Sequence, residues 1–315
     1  MEFTSENDLN NSYRQMLLKF KNSKCSWDSI PCGSFSVAGL ACVHPEGTGR
    51  WEKLLIVQGR AETMDKYLSL IHDLYSAGYD IYTYDHPGQG YSGSQENAGL
   101  SWIRSYDDYV TALDAVMRFY QLEDPFIISV SMGALVAVMA LKRNLLPISK
   151  LVLVTPMFRV ERKGLPAWLA AFVCDFFELL GRITGNRRAA PLGQHPYRRP
   201  TFAGNTKTHS ERRLNFYHDW YQSDRIFPIG GVTWHWLGEA YRHEPVRISA
   251  GDCRILLLEA QNDKVVDNSA NAKIVRNSKG SIEIRGIRGG YHDLLNESDE
   301  IRNQTLRQIM SFLEQ

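Results

Sequence analysis

Ser129-Val130-Ser131-Met132-Gly133 stands between an apolar run, Pro125 to Ile128, and a helix-forming stretch, Ala134 to Ala140. A strand, a tight turn and a helix with serine at the apex make a nucleophile elbow. The sharp turn lifts the Ser131 hydroxyl clear of the sheet, and small residues two positions to either side avoid a clash. Ser129 takes the first small position, where the GxSxG pattern has glycine. A serine hydroxyl is a weak nucleophile at neutral pH, so it needs a histidine to take its proton and a carboxylate to hold the imidazole in its working tautomer. Folds with such an elbow order these as Ser, acid, His. Downstream, the apolar run Arg254 to Glu259 opens into a loop carrying Asp263 and Asp267, and the run Ser281 to Arg285 leads through glycines to His292. The order is met, and Asp263 is the acid nearer its strand end. Acyl transfer also needs backbone N–H groups aimed at the oxygen that turns negative. Met132, next after the serine, supplies one. The run Lys53 to Val57 opens into Gln58-Gly59-Arg60, where Gly59 permits close backbone approach and Arg60 offers the second N–H.

From about Trp51 onward the chain resembles the bacterial lysophospholipases of the α/β-hydrolase superfamily, relatives of monoacylglycerol lipases. The matching segments are QGRAETMDKY (Gln58 to Tyr67), YDHPGQGYSG (Tyr84 to Gly93), SMGA (Ser131 to Ala134), TPMF (Thr155 to Phe158), LNFYHDW (Leu214 to Trp220), GGVTWHW (Gly230 to Trp236), VVDN (Val265 to Asn268) and YHDLLNE (Tyr291 to Glu297). The DHPGQGYSG loop and the LNFYHDW and GGVTWHW stretches are the more specific of these. The resemblance implies Ser131 as nucleophile, Asp263 as acid, His292 as base, and Arg60 and Met132 as oxyanion donors, with no cofactor. Val130 stands where relatives commonly have His, and Pro87 where they commonly have Arg.

Strands and helices must position these residues, and from about Ser34 they alternate in the manner of a mostly parallel sheet flanked by helices. The sequence predicts strands near Phe35 to Val43, Lys53 to Val57, Asp80 to Tyr84, Pro125 to Ser129, Lys150 to Val154, Arg254 to Glu259 and Ser281 to Arg285. Helices are expected near Thr63 to Ala77, Ser105 to Tyr120, Ser131 to Arg143, Asn268 to Asn277 and Asp299 to Leu313. Alternation stops between Val154 and Arg254, a segment rich in aromatics and arginine with helices expected near Ala167 to Ile183, Ser210 to Gln222 and Trp234 to Tyr241. The expected organisation is therefore an N-terminal arm (1–33), an α/β-hydrolase core in two parts (34–156 and 251–315) and an inserted, mainly helical cap (157–250). Such a cap covers the strand C-terminal ends, where open α/β sheets bind ligands. Its aromatics, Trp168, Phe172, Trp220 and Trp234 foremost, are expected to combine cap packing with an acyl-chain wall, and with Gly59 they are the candidate substrate contacts.

Composition narrows the remaining possibilities. The chain has 315 residues, 43% apolar and 23% charged with a net charge of +1, as in ordinary globular proteins. Five scattered cysteines, an odd number without metal spacing, predict reduced thiols in a cytoplasmic protein. The polar start, Met1 to Asp8, lacks a secretory pattern, and the apolar segment Leu165 to Cys174 is too short to cross a bilayer. His209, His218 and His235 lack metal-site spacing, Gly88, Gly90 and Gly93 lack phosphate-loop spacing, and no basic helix reads as a nucleic-acid binder. Charge is unevenly spread: between Met157 and Asn215, eleven basic residues (Arg159, Arg162, Lys163, Arg182, Arg187, Arg188, Arg198, Arg199, Lys207, Arg212, Arg213) face four acids (Glu161, Asp175, Glu178, Glu211), a balance of 11 − 4 = +7. Peripheral contact with an anionic membrane, at the inner face of the cytoplasmic membrane, is therefore expected. The sequence does not set an oligomeric state. The expected activity is hydrolysis of a single-chain lipid ester through an acyl-enzyme, most directly a lysophospholipid. The alternatives are a monoacylglycerol substrate, acyl transfer to a second lysolipid, or a hydrolase fold that only binds ligand.

Overall fold

The computed structural model describes residues 3–46, 48, 52–93, 99–145, 148–160, 164–221 and 226–315. Eight strands form one sheet in the order β1-β2-β4-β3-β5-β6-β7-β8. These are β1 Cys25–Pro31, β2 Ser36–Cys42, β3 Lys53–Val57, β4 Asp80–Tyr84, β5 Phe126–Val130, β6 Lys150–Val154, β7 Arg254–Ala260 and β8 Ile282–Ile287. From β4 to β8 every pairing is parallel, whereas β1 and β2 join antiparallel at one edge.

The central strands are apolar along their whole length because helices cover both faces. Leu55, Val57, Ile127, Leu151, Leu153 and Leu257 point to one core, where they meet α3 (Tyr106–Phe119) and α4 (Met132–Lys142). Leu54, Ile56, Ile128, Val152, Leu256 and Leu258 point to the other, with α1 (Asn11–Lys24), α2 (Leu68–Ser76) and α9 (Asp299–Leu313). Two of the expected helices start later than read, each behind a 3-10 turn: Met64–Tyr67 before α2, and Asn268–Ala270 before α8 (Asn271–Asn277).

Between β6 and β7 run α5 (Ala167–Ile183), α6 (Glu211–Trp220) and α7 (Trp234–Arg242), joined by long irregular stretches. Ala170, Ala171 and Cys174 of α5 pack on Tyr241 of α7 in a small core of their own. Residues 208–213 are fastened to the rest of the chain by polar bonds. Arg213 donates to Thr4 O (2.8 Å) and Asp299 (2.5 Å), Ser210 Oγ to Glu6 (2.5 Å), Thr208 Oγ1 to Asn296 O (2.7 Å), and the His209 N–H to Glu297 (2.9 Å).

Two expectations are corrected. The arm expected at 1–33 is not outside the sheet, because its residues 25–31 form β1, so the boundary falls within the β1–β2 hairpin. The segment CSWDSIP lacks an apolar face because it is an edge strand, mostly exposed, and that hid it. The register of this hairpin sets Cys25 opposite Cys42, with Cα atoms 4.0 Å apart, and the two form a disulfide. All five thiols were expected to be reduced, but an odd count carries no information about a pair that strand register brings together. Cys32, Cys174 and Cys253 are free and buried. Among the described residues no helix is long and apolar enough to cross a membrane.

Candidate active site

Ser131 links β5 to α4 with φ 50° and ψ −111°, a left-handed conformation that costs an L-residue on the order of 1–3 kcal/mol and persists only where its surroundings enforce it. They do so here: Ser131 N–H donates to Val154 O (2.9 Å), and Ser131 O accepts from Met157 N–H (3.0 Å). Gly133 is needed because a Cβ there would lie 2.4 Å from both Val57 O and Gln58 O, so only glycine lets α4 start this close to β3. Ser129 replaces the other usual glycine without harm, since its hydroxyl donates to Val152 O at 2.9 Å.

His292, in the loop after β8, places Nε2 3.0 Å from Ser131 Oγ and Nδ1 2.7 Å from Asp263 Oδ2. A carboxylate accepts the proton on Nδ1, leaving the Nε2 lone pair facing the hydroxyl. Asp263 is fully engaged, its other oxygen accepting from the N–H groups of Val265 (2.8 Å) and Val266 (3.1 Å). Asp267, the rival acid, turns away to cap Ser269 N–H (2.9 Å) and to meet Arg159 (3.4 Å).

Met132 opens α4, so its N–H has no acceptor within the helix. The loop after β3 crosses the serine so closely that a Cβ on Gly59 would lie 3.3 Å from Ser131 Cβ. Gly59 N–H is taken by Glu62 (2.7 Å), which leaves Arg60 N–H as the next donor along the loop. Three residues that the sequence reading did not single out hold this loop. Gln89 donates to Gly59 O (2.9 Å) and Glu62 O (3.0 Å) and accepts from Ala61 N–H (3.2 Å). Tyr221 and Tyr217 both donate to Ala61 O, at 2.6 and 3.2 Å. The GQG sequence around Gln89 was the visible signal; nothing local marked the tyrosines. Asp85, buried just past β4, has a structural role: it accepts from the N–H groups of Met64 (2.7 Å) and Tyr91 (2.6 Å).

Beside the loop, buried Lys66 bridges Glu62 (2.5 Å) and Asp293 (2.7 Å), the residue after His292. Burial alone would lower the Lys66 pKa, but Asp293 and Glu62 outweigh it and hold the ammonium charged. A cavity of 620 Å³ opens here, lined by Arg60, Ala61, Glu62, Lys66, Asp293 and the cap segment 193–208 among others. The expected aromatic wall does not line it. Trp168 and Phe172 are 72% and 64% exposed on the outer face of α5, Trp220 is packed against Phe216 and Arg14, and Trp234 stacks on Phe177. One helix cannot turn Trp168 and Phe172 outward and also toward the serine. Among the described residues no cluster of His, Cys, Asp and Glu could hold a metal ion.

Residues 51–299 match the family model Hydrolase_4, described as serine aminopeptidase, S33. The chain is 31% identical to lysophospholipase L2 of Escherichia coli K12 over 276 residues, 82% of this chain and 79% of the relative. It is 27% identical to the probable lysophospholipase L2 of Haemophilus influenzae over 280 residues, 86% of each. Among solved structures, a soluble variant of monoglyceride lipase from Saccharomyces cerevisiae aligns over 94% of this chain and 97% of its own, with a TM-score of 0.66 and 14% identity.

Proposed function

The chain belongs to the Hydrolase_4 family of α/β-hydrolases, and on that premise we propose that it is a lysophospholipase that works through an acyl-enzyme on Ser131. It is an ester-hydrolysing enzyme whose substrates are lipid esters. The observation that carries the reading is the continuous chain from Asp263 through His292 to Ser131 at 2.7 and 3.0 Å. Ser131 Oγ attacks the ester carbonyl as His292 Nε2 takes its proton. The N–H groups of Arg60 and Met132 hold the oxyanion, and Asp263 stabilises the imidazolium. Collapse expels the glycerol oxygen, which takes the proton from His292, and a water activated by the same nitrogen releases the fatty acid.

The family's description also raises peptide substrates with a free amino end. The cavity argues against them, because its acids Glu62 and Asp293 are both paired with Lys66 and Arg60 lines it as well, a poor place for a second cation.

Contact with a lipid surface is the second part of the proposal. Trp168, Phe172, Phe176, Leu179 and Ile183 are all exposed and recur at helical spacing along one face of α5. An amphipathic face of this kind binds in the interfacial plane of a bilayer. The arginines contribute less than their number suggested: Arg159, Arg182, Arg199 and Arg213 pair with Asp267, Glu178, Asp219 and Asp299. Glu161, Arg162 and Lys163 lie outside the described residues.

The test is a panel of lysophospholipids and monoacylglycerols of matched acyl chain, with product analysis and fluorophosphonate labelling. Release of free fatty acid from lysophospholipid with labelling at Ser131 is expected. Diacyl product in place of fatty acid would make it an acyltransferase, and absence of labelling would make it a binding scaffold.

A further inference from the structure

The cavity beside the oxyanion loop holds more positive charge than its own acids neutralise. Glu62 and Asp293 share Lys66, a group of net charge −1 set against the two further cations Arg60 and Lys207. The Arg60 guanidinium donates to two neutral oxygens, Ser101 Oγ (2.9 Å) and Gly230 O (2.5 Å), and meets no carboxylate among the described residues. The Lys207 ammonium has no hydrogen-bond or ion-pair partner at all among the described residues. Lys207 is nevertheless accurately placed, because its carbonyl accepts the N–H of Asp293 at 2.8 Å, one residue from His292. The Lys207 side chain is exposed at this cavity, which it lines together with Arg60 and Lys66. A cation that lines a cavity without a counter-ion keeps its donors open to an incoming anion. The neighbouring His218 cannot add a charge, being held neutral by burial and by Lys207 and Lys66, which bring its pKa down to about 3.

We propose that Lys207 and Arg60 form an anion subsite that receives the phosphate of the headgroup while the ester lies over Ser131. This rests on the lysophospholipid reading and deepens it: the glycerophosphate side of the substrate points into the polar cavity, and the leaving glycerol oxygen emerges next to His292. A charge-assisted contact of this kind favours the phosphate-bearing substrate over its neutral analogue by about tenfold or more.

The experiment compares wild type, Lys207→Met and Lys207→Arg on lysophosphatidylcholine and on the monoacylglycerol of the same acyl chain. The quantity read is the ratio of the two kcat/KM values. The ratio falls by about tenfold or more in Lys207→Met and is largely restored in Lys207→Arg. An unmoved ratio overturns the subsite. Fluorophosphonate labelling of Ser131 reports that each variant is folded. If Lys207→Met does not label, Lys207→Gln takes its place, and competition on wild type also decides: inorganic phosphate should inhibit monoacylglycerol hydrolysis competitively, and lack of inhibition also overturns the subsite. Phosphate inhibition that Lys207→Met relieves, with an unmoved substrate ratio, would identify a site for free phosphate and reject the headgroup. A wild-type enzyme that cleaves monoacylglycerol but no lysophospholipid would instead refute the lysophospholipase reading itself.

Discussion

The sheet and the segment between β6 and β7 solve different problems by different physics. At the elbow, strands buried on both faces hold Ser131 in a strained conformation, and no charged side chain takes part in fixing its backbone. The segment carrying α5, α6 and α7 sends Trp220, Trp236 and Ala240 into the two cores, but it is also fastened by polar bonds from residues 208–213 to residues 4–6 and 296–299, and it leaves a whole face of α5 bare. Apolar packing tolerates no displacement at close quarters, so it suits the atoms that react. Polar fastening over solvent can be rearranged, so it suits the part proposed to meet the lipid surface. The contrast implies that changes in the sheet act on turnover and changes in the cap on stability, partitioning or substrate choice.

The sharpest break comes from Ser131→Ala. We expect ester turnover to fall by roughly three or more orders of magnitude, with thermal unfolding unchanged or slightly raised. Retained turnover in folded protein would move the nucleophile elsewhere. Next, Asp263→Asn should lower kcat by at least about a hundredfold because the imidazole loses its partner and its productive tautomer. Asp267→Asn should change kcat far less, since that carboxylate caps a turn. The reverse ranking in steady-state kinetics would exchange their roles.

The strands from β2 to β8, the strand–turn–helix around Ser131 and the places of Asp263 and His292 could be read directly because each depends on short-range pattern: apolar runs of strand length, a serine between small residues, an acid and a histidine just beyond strand ends. What could not be read depends on partners far along the chain. Gln89, Tyr217 and Tyr221 meet the Gly59-Arg60-Ala61 loop across long separations, and apart from the glycines flanking Gln89 nothing in their own neighbourhoods sets them apart from other polar or aromatic residues. The same limit explains Trp168 and Phe172. Their helix is legible, but which face of it would be covered is settled by α7. The disulfide was hidden likewise, since it follows from the register of a strand without an apolar signature.

A third test works on the fastening. Arg302, fully buried on α9, donates to Leu295 O (3.1 Å), Thr4 O (3.2 Å) and Asp73 (3.2 Å). Arg302→Met strands Asp73 without its cation and should cost about 3–5 kcal/mol in urea unfolding, with faster proteolysis near residues 4–9. A loss below about 1 kcal/mol would show that the polar clasp is dispensable. The mildest effect on the fold is expected for Trp168→Ser with Phe172→Ser. On so exposed a face, stability should move by no more than about 0.5 kcal/mol. Co-sedimentation with anionic vesicles should weaken severalfold, and unchanged vesicle binding would remove α5 from the membrane interface.

The clasp also orders events in time. Arg213 is made 86 residues before Asp299, its partner, and at roughly 5–20 residues per second that interval is roughly 4 to 17 s. Glu6, whose N–H also meets Asp299, waits across a separation of 293 residues. His292 is synthesised within the same last stretch as the residues that fasten α6. During translation, therefore, the chain acquires the proposed base and the partners of residues 208–213 almost together. Closure of the clasp and completion of the proposed triad both wait for the last part of the chain to be made.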